Sequence, residues 1–411
     1  MARLWLLAAA LPIMAPVAAH EGDTFRPFVS AAYLHDDNLF RLAEGESPGT
    51  PREDRYAVYQ AGIQVDWRPG RQQFLALASK TLVRYDRNVP LDFDGDEASL
   101  SWNWRLGNRL SGNLGINQST SQSNLESVGR INNIVDRERR FARAEWEFHP
   151  RWHIGIGGEA SESSNSDPSQ RSQDFEQTMN ELVLTYRTPK GSSLATLIRR
   201  SEADYPNQQT LRIFGVPPIF FRDVADISFE QTEYLLSGNW RVSGKLNLRG
   251  QGGHVNREYR NELKDPLGGF ANLVRRPDHS EFTVRGTAEW FPGARTALSL
   301  TVYQELGEAI DINASTVERQ GLRLDAAWLF REKWRINAGL NFENRDFQGD
   351  PSVPNLIRRN DDTTNFTLGV TYRPTRIASI NVGVQAGQRD ANLANENFEF
   401  RSVSASVRAD F

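Results

Sequence analysis

The chain has 411 residues, a formal net charge of -4 and no cysteine. The lack of cysteine excludes disulfide bonds, thiolate metal sites, a cysteine nucleophile and a lipoprotein anchor. A mean hydropathy of -0.56 excludes a helical membrane protein, because each helical span needs ~20 consecutive apolar residues. A transmembrane β-barrel remains compatible, since half of each strand faces a polar lumen. The mild net charge gives no indication of nucleic-acid binding.

The N-terminus has the pattern of a secretory signal peptide. Arg3 supplies a positive charge, residues 4–15 are apolar, and Val17, Ala18 and Ala19 form a small-residue cleavage site. The alternative is a membrane anchor, for which the apolar run is too short. We therefore predict a signal peptide over residues 1–19 and one barrel domain over residues 20–411.

Beyond residue 20, apolar and polar residues alternate in segments of ~10 residues, as lipid-facing and lumen-facing positions of a barrel strand do. In residues 98–106, Leu100 and Trp102 fall on one face and Ser101 on the other. This alternation is the period of a β-strand. A soluble sheet with one apolar face would need a second layer, and the sequence offers no helices to form one. The same alternation recurs over residues 281–290, 334–343, 365–373 and 402–411.

The predicted number of strands comes from counting short turns, each of which follows an aromatic residue and joins two strands. They lie near residues 66–70, 103–107, 147–150, 185–189, 239–244, 289–293, 328–331 and 371–374. Longer polar stretches, predicted as extracellular loops, lie between them at residues 36–54, 121–137, 161–174, 202–224, 254–278 and 348–361. Aromatic residues beside short turns are typical of the girdle at a membrane interface. We predict an all-β fold, a transmembrane antiparallel outer-membrane β-barrel of about 18 strands, with about 16 as the alternative.

The C-terminal segment supports this prediction. Residues 402–411 alternate strictly and end in Phe411, a terminal residue that resembles the signal read by the outer-membrane barrel assembly machinery. We therefore expect Phe411 to act as an assembly signal. The expected location is the outer membrane, with its lipids and the assembly machinery as partners.

Charged residues on the polar faces of the strands are the candidates for lining the lumen. They are Arg105, Arg143, Glu145, Glu147, Arg249, Arg285, Glu289, Arg323, Asp325, Arg335, Glu343 and Arg373. An 18-strand barrel is wide enough for an aqueous interior, and a lining of both signs suits hydrated, hydroxyl-rich solutes. The alternative is that these side chains pair across the lumen and partly fill it.

No catalytic, cofactor or metal site is expected. His279 and Ser280 are adjacent, so on a strand they point to opposite faces and cannot act as base and nucleophile; a dyad between distant strands stays open. His149 and His153 lack carboxylate partners at ligand spacing. Residues 92–97 resemble a calcium loop, but the glycine is misplaced, so a solvated turn is favoured.

Residues 27–42 resemble the opening of the EpsL family of exosortase-B-associated exopolysaccharide biosynthesis barrels. The family's D-D-N-[LVI]-F/Y-R run is matched by Asp36, Asp37, Asn38, Leu39, Phe40 and Arg41. The resemblance implies a part in exopolysaccharide export, with the polysaccharide and other export proteins as partners. Asp and Asn also tighten turns by binding backbone N–H groups, so the motif has either a structural or a ligand-binding role.

Three hypotheses for function follow. The first is a passive channel or accessory barrel for exopolysaccharide export, since the sequence contains no P-loop to supply energy. The second is a structural or adhesion barrel with a closed lumen, and the third is a general small-solute porin.

Overall fold

The structure is a computed structural model of the full chain. It describes residues 24–46, 51–129, 131–207, 211–214, 221–224, 227–260, 272–274, 276–307, 314–349 and 358–411. The predicted signal peptide lies outside the described residues.

The described residues form 21 strands. The strands are β1 (Phe25–Asp36), β2 (Asp54–Trp67), β3 (Gln73–Tyr85), β4 (Phe93–Leu106), β5 (Leu110–Gln122), β6 (Ile134–His149), β7 (Trp152–Asn165), β8 (Phe175–Arg187), β9 (Ser193–Asp204), β10 (Leu211–Phe214), β11 (Phe221–Val224), β12 (Phe229–Arg241), β13 (Leu246–Tyr259), β14 (Asn272–Val274), β15 (His279–Gly293), β16 (Thr296–Gly307), β17 (Ala314–Arg331), β18 (Trp334–Gly349), β19 (Asn360–Tyr372), β20 (Ala378–Ala391) and β21 (Phe398–Asp410). One short helix, α1 (Leu125–Val128), lies between β5 and β6. Among the described residues, no helix has the length and apolarity to cross a membrane.

Eighteen of these strands form one closed antiparallel barrel, so the fold prediction and its larger strand number are confirmed. Each barrel strand pairs with the next one along the chain, and β1 pairs with β21 to close the sheet. The short strands β10, β11 and β14 form a separate sheet. Closure leaves the barrel without an unpaired edge, which is what a sheet needs in lipid.

The two ends of the barrel differ. At one end, here the turn end, eight short connections join consecutive strands, as the aromatic motifs predict. The other end, the loop end, carries the longer connections. Several predicted loops were too long, because strands such as β5 and β6 continue into them. Residues 92–97 are not a solvated turn either, since Phe93 begins β4 and the ion pair of Asp96 with Lys80 joins β4 to β3.

Strand alternation gives the wall an apolar outer face. Leu100, Phe282 and Val407 each expose half or more of their surface, at 50%, 58% and 52%. Aromatic rings collect on this face beside the turns, where Phe74 stacks on both Trp67 and Trp102 at centroid distances of 5.2 and 5.6 Å. This arrangement is an interfacial aromatic girdle.

Some inward-facing aromatic rings lie flat against the wall. The rings of Phe28 and Phe141 cover Gly62 and Gly115 on the neighbouring strands, where even a Cβ atom would collide with them. An arginine covers each ring, with Arg408 lying 4.0 Å from the Phe28 centroid. Glycine on one side and a guanidinium on the other allow bulky apolar rings to face a polar interior.

Buried apolar residues occur at the loop end, inside the barrel mouth. One cluster joins residues from the β1–β2, β3–β4 and β5–β6 connections with the ends of β3; its members are Leu39, Phe40, Val83, Tyr85, Leu91 and Leu125. A second cluster comprises Ala203, Tyr205, Phe229 and Tyr259. The loop end therefore has a hydrophobic core of its own.

Candidate functional site: the barrel lumen

The strand register places the predicted lumen residues on one face, opposite to the apolar face. For example, Arg143 and Glu145 alternate with the outward Trp146, whose side chain is exposed. The same alternation assigns Arg105, Glu147, Arg249, Arg285, Glu289, Arg323, Asp325, Arg335 and Glu343 to the inner face. Arg373 directly follows the last residue of β19, where its amide donates to the Lys333 carbonyl at 2.8 Å.

A continuous chain of ion pairs crosses the inner face from β6 to β12. Glu181 contacts Arg143 at 2.9 Å and Arg199 at 3.1 Å, and Arg199 contacts Glu233 at 3.0 Å. Gly157 lies between Arg143 and Glu181, where a larger residue would displace both side chains. The charges therefore lie along the wall and compensate one another.

Other predicted lumen residues also pair within the wall. Their contacts are Glu145–Arg187 at 2.7 Å, Arg249–Glu289 at 2.5 Å, Arg285–Glu305 at 2.5 Å, Arg319–Glu343 at 2.5 Å and Arg323–Asp325 at 2.8 Å. These partners lie on the same or nearby strands. By contrast, Arg105 and Arg335 make no ion pair with any residue that the structure describes, so their charges are available to the lumen.

At the loop end, one residue reaches across the barrel. Glu126 of α1 contacts Arg389 of β20 and lies 3.9 Å from Arg345 of β18. Five strands separate β5, which precedes α1, from β20 around the barrel. This contact therefore bridges the barrel mouth, and Leu125 anchors the same helix in the apolar cluster.

The arginines that contact Glu126 belong to a compact group of charged residues. Asp361, which is fully buried, contacts Arg359 at 2.8 Å and Arg345 at 3.1 Å. Glu396 contacts Arg359 at 3.0 Å and Arg389 at 3.3 Å. The group, called the mouth cluster below, contains three guanidinium and three carboxylate groups including Glu126.

Sequence analysis did not identify the mouth cluster. Arg345 is in phase with Glu343, so continuing the β18 alternation past Glu343 would have found it. Glu126 had no such signal, since it lies in a stretch without strand alternation and its partner Arg389 is 263 residues away.

The Asp36–Arg41 motif, by contrast, makes internal contacts. The Asp36 carboxylate accepts hydrogen bonds from both terminal nitrogens of Arg41, at 2.8 and 2.9 Å, and from the Asn38 amide. Arg41 has a left-handed backbone with φ of 55°, and its guanidinium lies 3.6 Å from the Phe400 ring centroid. Leu39 and Phe40 belong to the apolar cluster. The polar groups of Asp36, Asn38 and Arg41 thus have partners within the protein, which favours a structural role of the motif over a ligand-binding role.

The motif also joins the first strand to the last. Asp37 accepts a 2.7 Å hydrogen bond from the Arg401 amide, and Asn38 Nδ2 donates to the Glu399 carbonyl at 2.8 Å. At the turn end of the seam, that is the paired strands β1 and β21, the Phe411 amide donates to the Pro27 carbonyl at 2.9 Å. The Phe411 side chain is exposed, and its role as an assembly signal stays a prediction.

The histidines differ in their surroundings. His153 lies 3.2 Å from Glu145, so the expectation that it lacks a carboxylate partner was wrong; the β6–β7 pairing brings the two side chains together. Ser280 Oγ lies 2.7 Å from His254 Nε2, a contact between neighbouring strands that the sequence left open, and it also donates to Asn256 Oδ1 at 2.7 Å. Within the described residues His254 Nδ1 has no hydrogen-bond partner to orient the ring, as a base of this kind requires. We therefore assign no catalytic role to the pair.

Comparisons with known proteins agree with the architecture. The family model described as "Putative beta-barrel porin 2" matches residues 275–411. OccK2 (OpdF) of Pseudomonas aeruginosa aligns with a TM-score of 0.51 and 12% identity, over 94% of this chain and 98% of that chain. Its complex with glucuronate gives a TM-score of 0.50 and 13% identity over the same shares. At these identities the likeness shows the fold alone. A search of curated proteins gives no significant match.

Proposed function

We propose that this protein is an outer-membrane channel through which small hydrophilic solutes diffuse passively, with the loop end outside the cell. The observation that carries the proposal is the inner wall, whose charges compensate one another in pairs such as Glu181–Arg199. A wall of this kind needs no ligand to satisfy it and presents water-compatible groups to a passing solute. The match to a porin family model over part of the chain supports the same function.

Glu126 limits the size of the solute in this proposal. Its contact with Arg389 bridges the mouth, so a solute must pass beside α1 or displace it. This geometry favours small solutes over a thick polymer, and it makes the mouth cluster the selective element.

Conductance across a planar bilayer tests the proposal. The wild-type protein is expected to form discrete open channels. Glu126→Gln should increase conductance and shift selectivity toward anions, because it removes one of the three carboxylates that balance three guanidiniums. Glu53→Gln is the matched control, since it removes the same charge from an exposed loop residue paired with Arg87. A wild-type protein that inserts but never conducts would refute the channel and favour the closed structural barrel.

The second candidate is a part in exopolysaccharide export, together with other export proteins. The observation that favours it is the resemblance of residues 27–42 to the EpsL family. The many amide and hydroxyl groups of the inner face, such as Asn113 and Thr287, are also suited to sugar hydroxyls. Deleting the gene and measuring cell-surface polysaccharide tests it. If the deletion removes the polymer and the Glu126→Gln variant restores it, export is supported. If the deletion leaves the amount of polymer unchanged, export is rejected.

A further inference from the structure

Three metal-ligating side chains that do not belong to the mouth cluster meet at the loop end of β15 and β17. His279 and Glu281 belong to β15, and Glu318 belongs to β17. His279 Nε2 lies 3.3 Å from Glu281 Oε2 and 3.9 Å from Glu318 Oε1. One ligand atom from each residue lies within 4.8 Å of the other two. The proposed channel does not use any of them.

The three residues lie where the sheet opens. β15 pairs with β16 only as far as Val284, opposite Gln304, whereas β16 remains paired with β17 up to Gly307. By strand alternation Glu281 is on the inner face of β15 and Glu318 on the outer face of β17. Both side chains nevertheless lie within 4 Å of the His279 imidazole. Their contact therefore joins two parts of the wall that the backbone ladder does not join.

The charge balance here differs from that of the remaining wall. Half-buried carboxylates such as Glu181, Glu289 and Glu343 each contact an arginine. For Glu281 and Glu318, the only basic side chain within ion-pair distance in the described part of the chain is His279. Two carboxylates against one imidazole leave a net negative charge, which a cation would compensate.

We propose that His279, Glu281 and Glu318 bind one divalent transition-metal ion of the Zn²⁺ type. An imidazole with two carboxylates suits Zn²⁺, whereas Ca²⁺ and Mg²⁺ prefer oxygen ligands alone. Ligand bonds of about 2.0–2.1 Å in a tetrahedral site place the ligand atoms ~3.3 Å apart. The 3.3 Å between His279 and Glu281 already has this spacing. Glu318 has to approach by a small side-chain movement, and water completes the site.

Two glutamines orient the carboxylates. Gln304 Nε2 donates to Glu281 Oε1 at 3.2 Å, which leaves Oε2 directed at the imidazole. Gln348 Nε2 donates to Glu318 Oε1 at 3.1 Å. Such partners typically contribute about 10–100-fold to metal affinity. A bound ion would link β15 to β17 and close the opening in the sheet, so metal binding should also stabilise the barrel.

Titration of the whole protein with Zn²⁺ tests the proposal. Mature protein without an affinity tag is purified in detergent, stripped with EDTA and titrated with zinc chloride in a calorimeter. We expect one Zn²⁺ per chain and a higher unfolding temperature with Zn²⁺, but not with Ca²⁺ or Mg²⁺ at equal concentration. His279→Ala and Glu281→Gln should each weaken binding at least about tenfold, and Gln348→Ala about 10-fold. His149→Ala, at the exposed end of β6, is the control and should bind as the wild type does.

The proposal is overturned if no saturable binding of one Zn²⁺ is found, or if His279→Ala and Glu281→Gln bind as tightly as the wild type. Heat-modifiable migration on gels shows whether each variant is folded. Should His279→Ala fail to fold, Glu318→Gln decides the question, because it preserves the side-chain shape and removes only the charge.

Discussion

The two faces of the barrel wall use the same residue types in different ways. Arg199 and Arg200 are neighbours on β9, yet Arg199 faces inward with 2% of its side chain exposed and Arg200 faces outward with 62% exposed. Both form ion pairs, with Glu233 and Glu230 respectively. The two pairs have the same chemistry and differ in their surroundings, so we expect them to contribute differently to stability.

The largest effect is expected at Arg199. Arg199→Ala leaves Glu181 and Glu233 without this partner on the half-buried inner face, and breaking a buried pair in this way costs about 3–5 kcal/mol. The free energy of unfolding in urea, measured for protein folded in lipid vesicles, checks this value. A loss below about 1 kcal/mol would show that the inner face is as hydrated as an exposed surface.

The next test introduces an arginine once on the outer face and once on the inner face. Leu100 faces outward and is 50% exposed, so Leu100→Arg puts a charge in lipid and should cost about 2–4 kcal/mol. Ser101 faces inward beside Gly115, so Ser101→Arg should cost much less and should alter ion selectivity. Unfolding free energy and conductance of the two variants measure both effects. An exchange of the two outcomes would mean a register shifted by one residue.

A smaller effect is expected at Asn38, which is only 1% exposed. Asn38→Ala leaves the Glu399 carbonyl and the Leu42 amide without their side-chain partner, at a cost of about 1–3 kcal/mol. The same unfolding experiment measures it, and Asn108→Ala in an exposed turn is the control. Equal stability of the two variants would contradict a structural role for the motif.

The smallest effect is expected at Arg200. Arg200→Ala removes an exposed ion pair in the half of β9 that leads to the loop end, and such a pair contributes about 0–1 kcal/mol and less at high salt. Unfolding measured at low and high salt should give a difference from wild type that shrinks as salt rises. A loss of unfolding free energy that does not depend on salt and is as large as that of Arg199→Ala would show that ion pairs on the two faces contribute equally to stability.

The barrel wall could be predicted from sequence because its strands and turns are determined by residues that are close together along the chain. Alternation over residues such as 98–106 determines which side chains share a face, and each aromatic turn marks a strand pair. The eighteen strands and the placement of Arg143 or Arg285 follow from these two patterns alone. Strand ends were less accurate, because polar strand segments at the loop end, such as the start of β6, have the composition of loops.

The loop end could not be predicted in the same way because its contacts are distant in sequence. No periodicity links Glu126 to Arg389, or His279 to Glu318, since each pair depends on how connections fold over the mouth. The opening between β15 and β16 is likewise invisible in sequence. Residues 281–290 alternate without interruption although the pairing with β16 begins only at Val284.

The seam between β1 and β21 has a consequence for the order of folding. Asp37 and its partner Arg401 are 364 residues apart, so closing the loop between them carries a large entropic cost before any contact forms. The N-terminal motif therefore stays without its partners until the last strand has been made and inserted. The motif follows the first barrel strand in chain order, yet it reaches these contacts only once β21 is in place, so their formation reports that the barrel is closed.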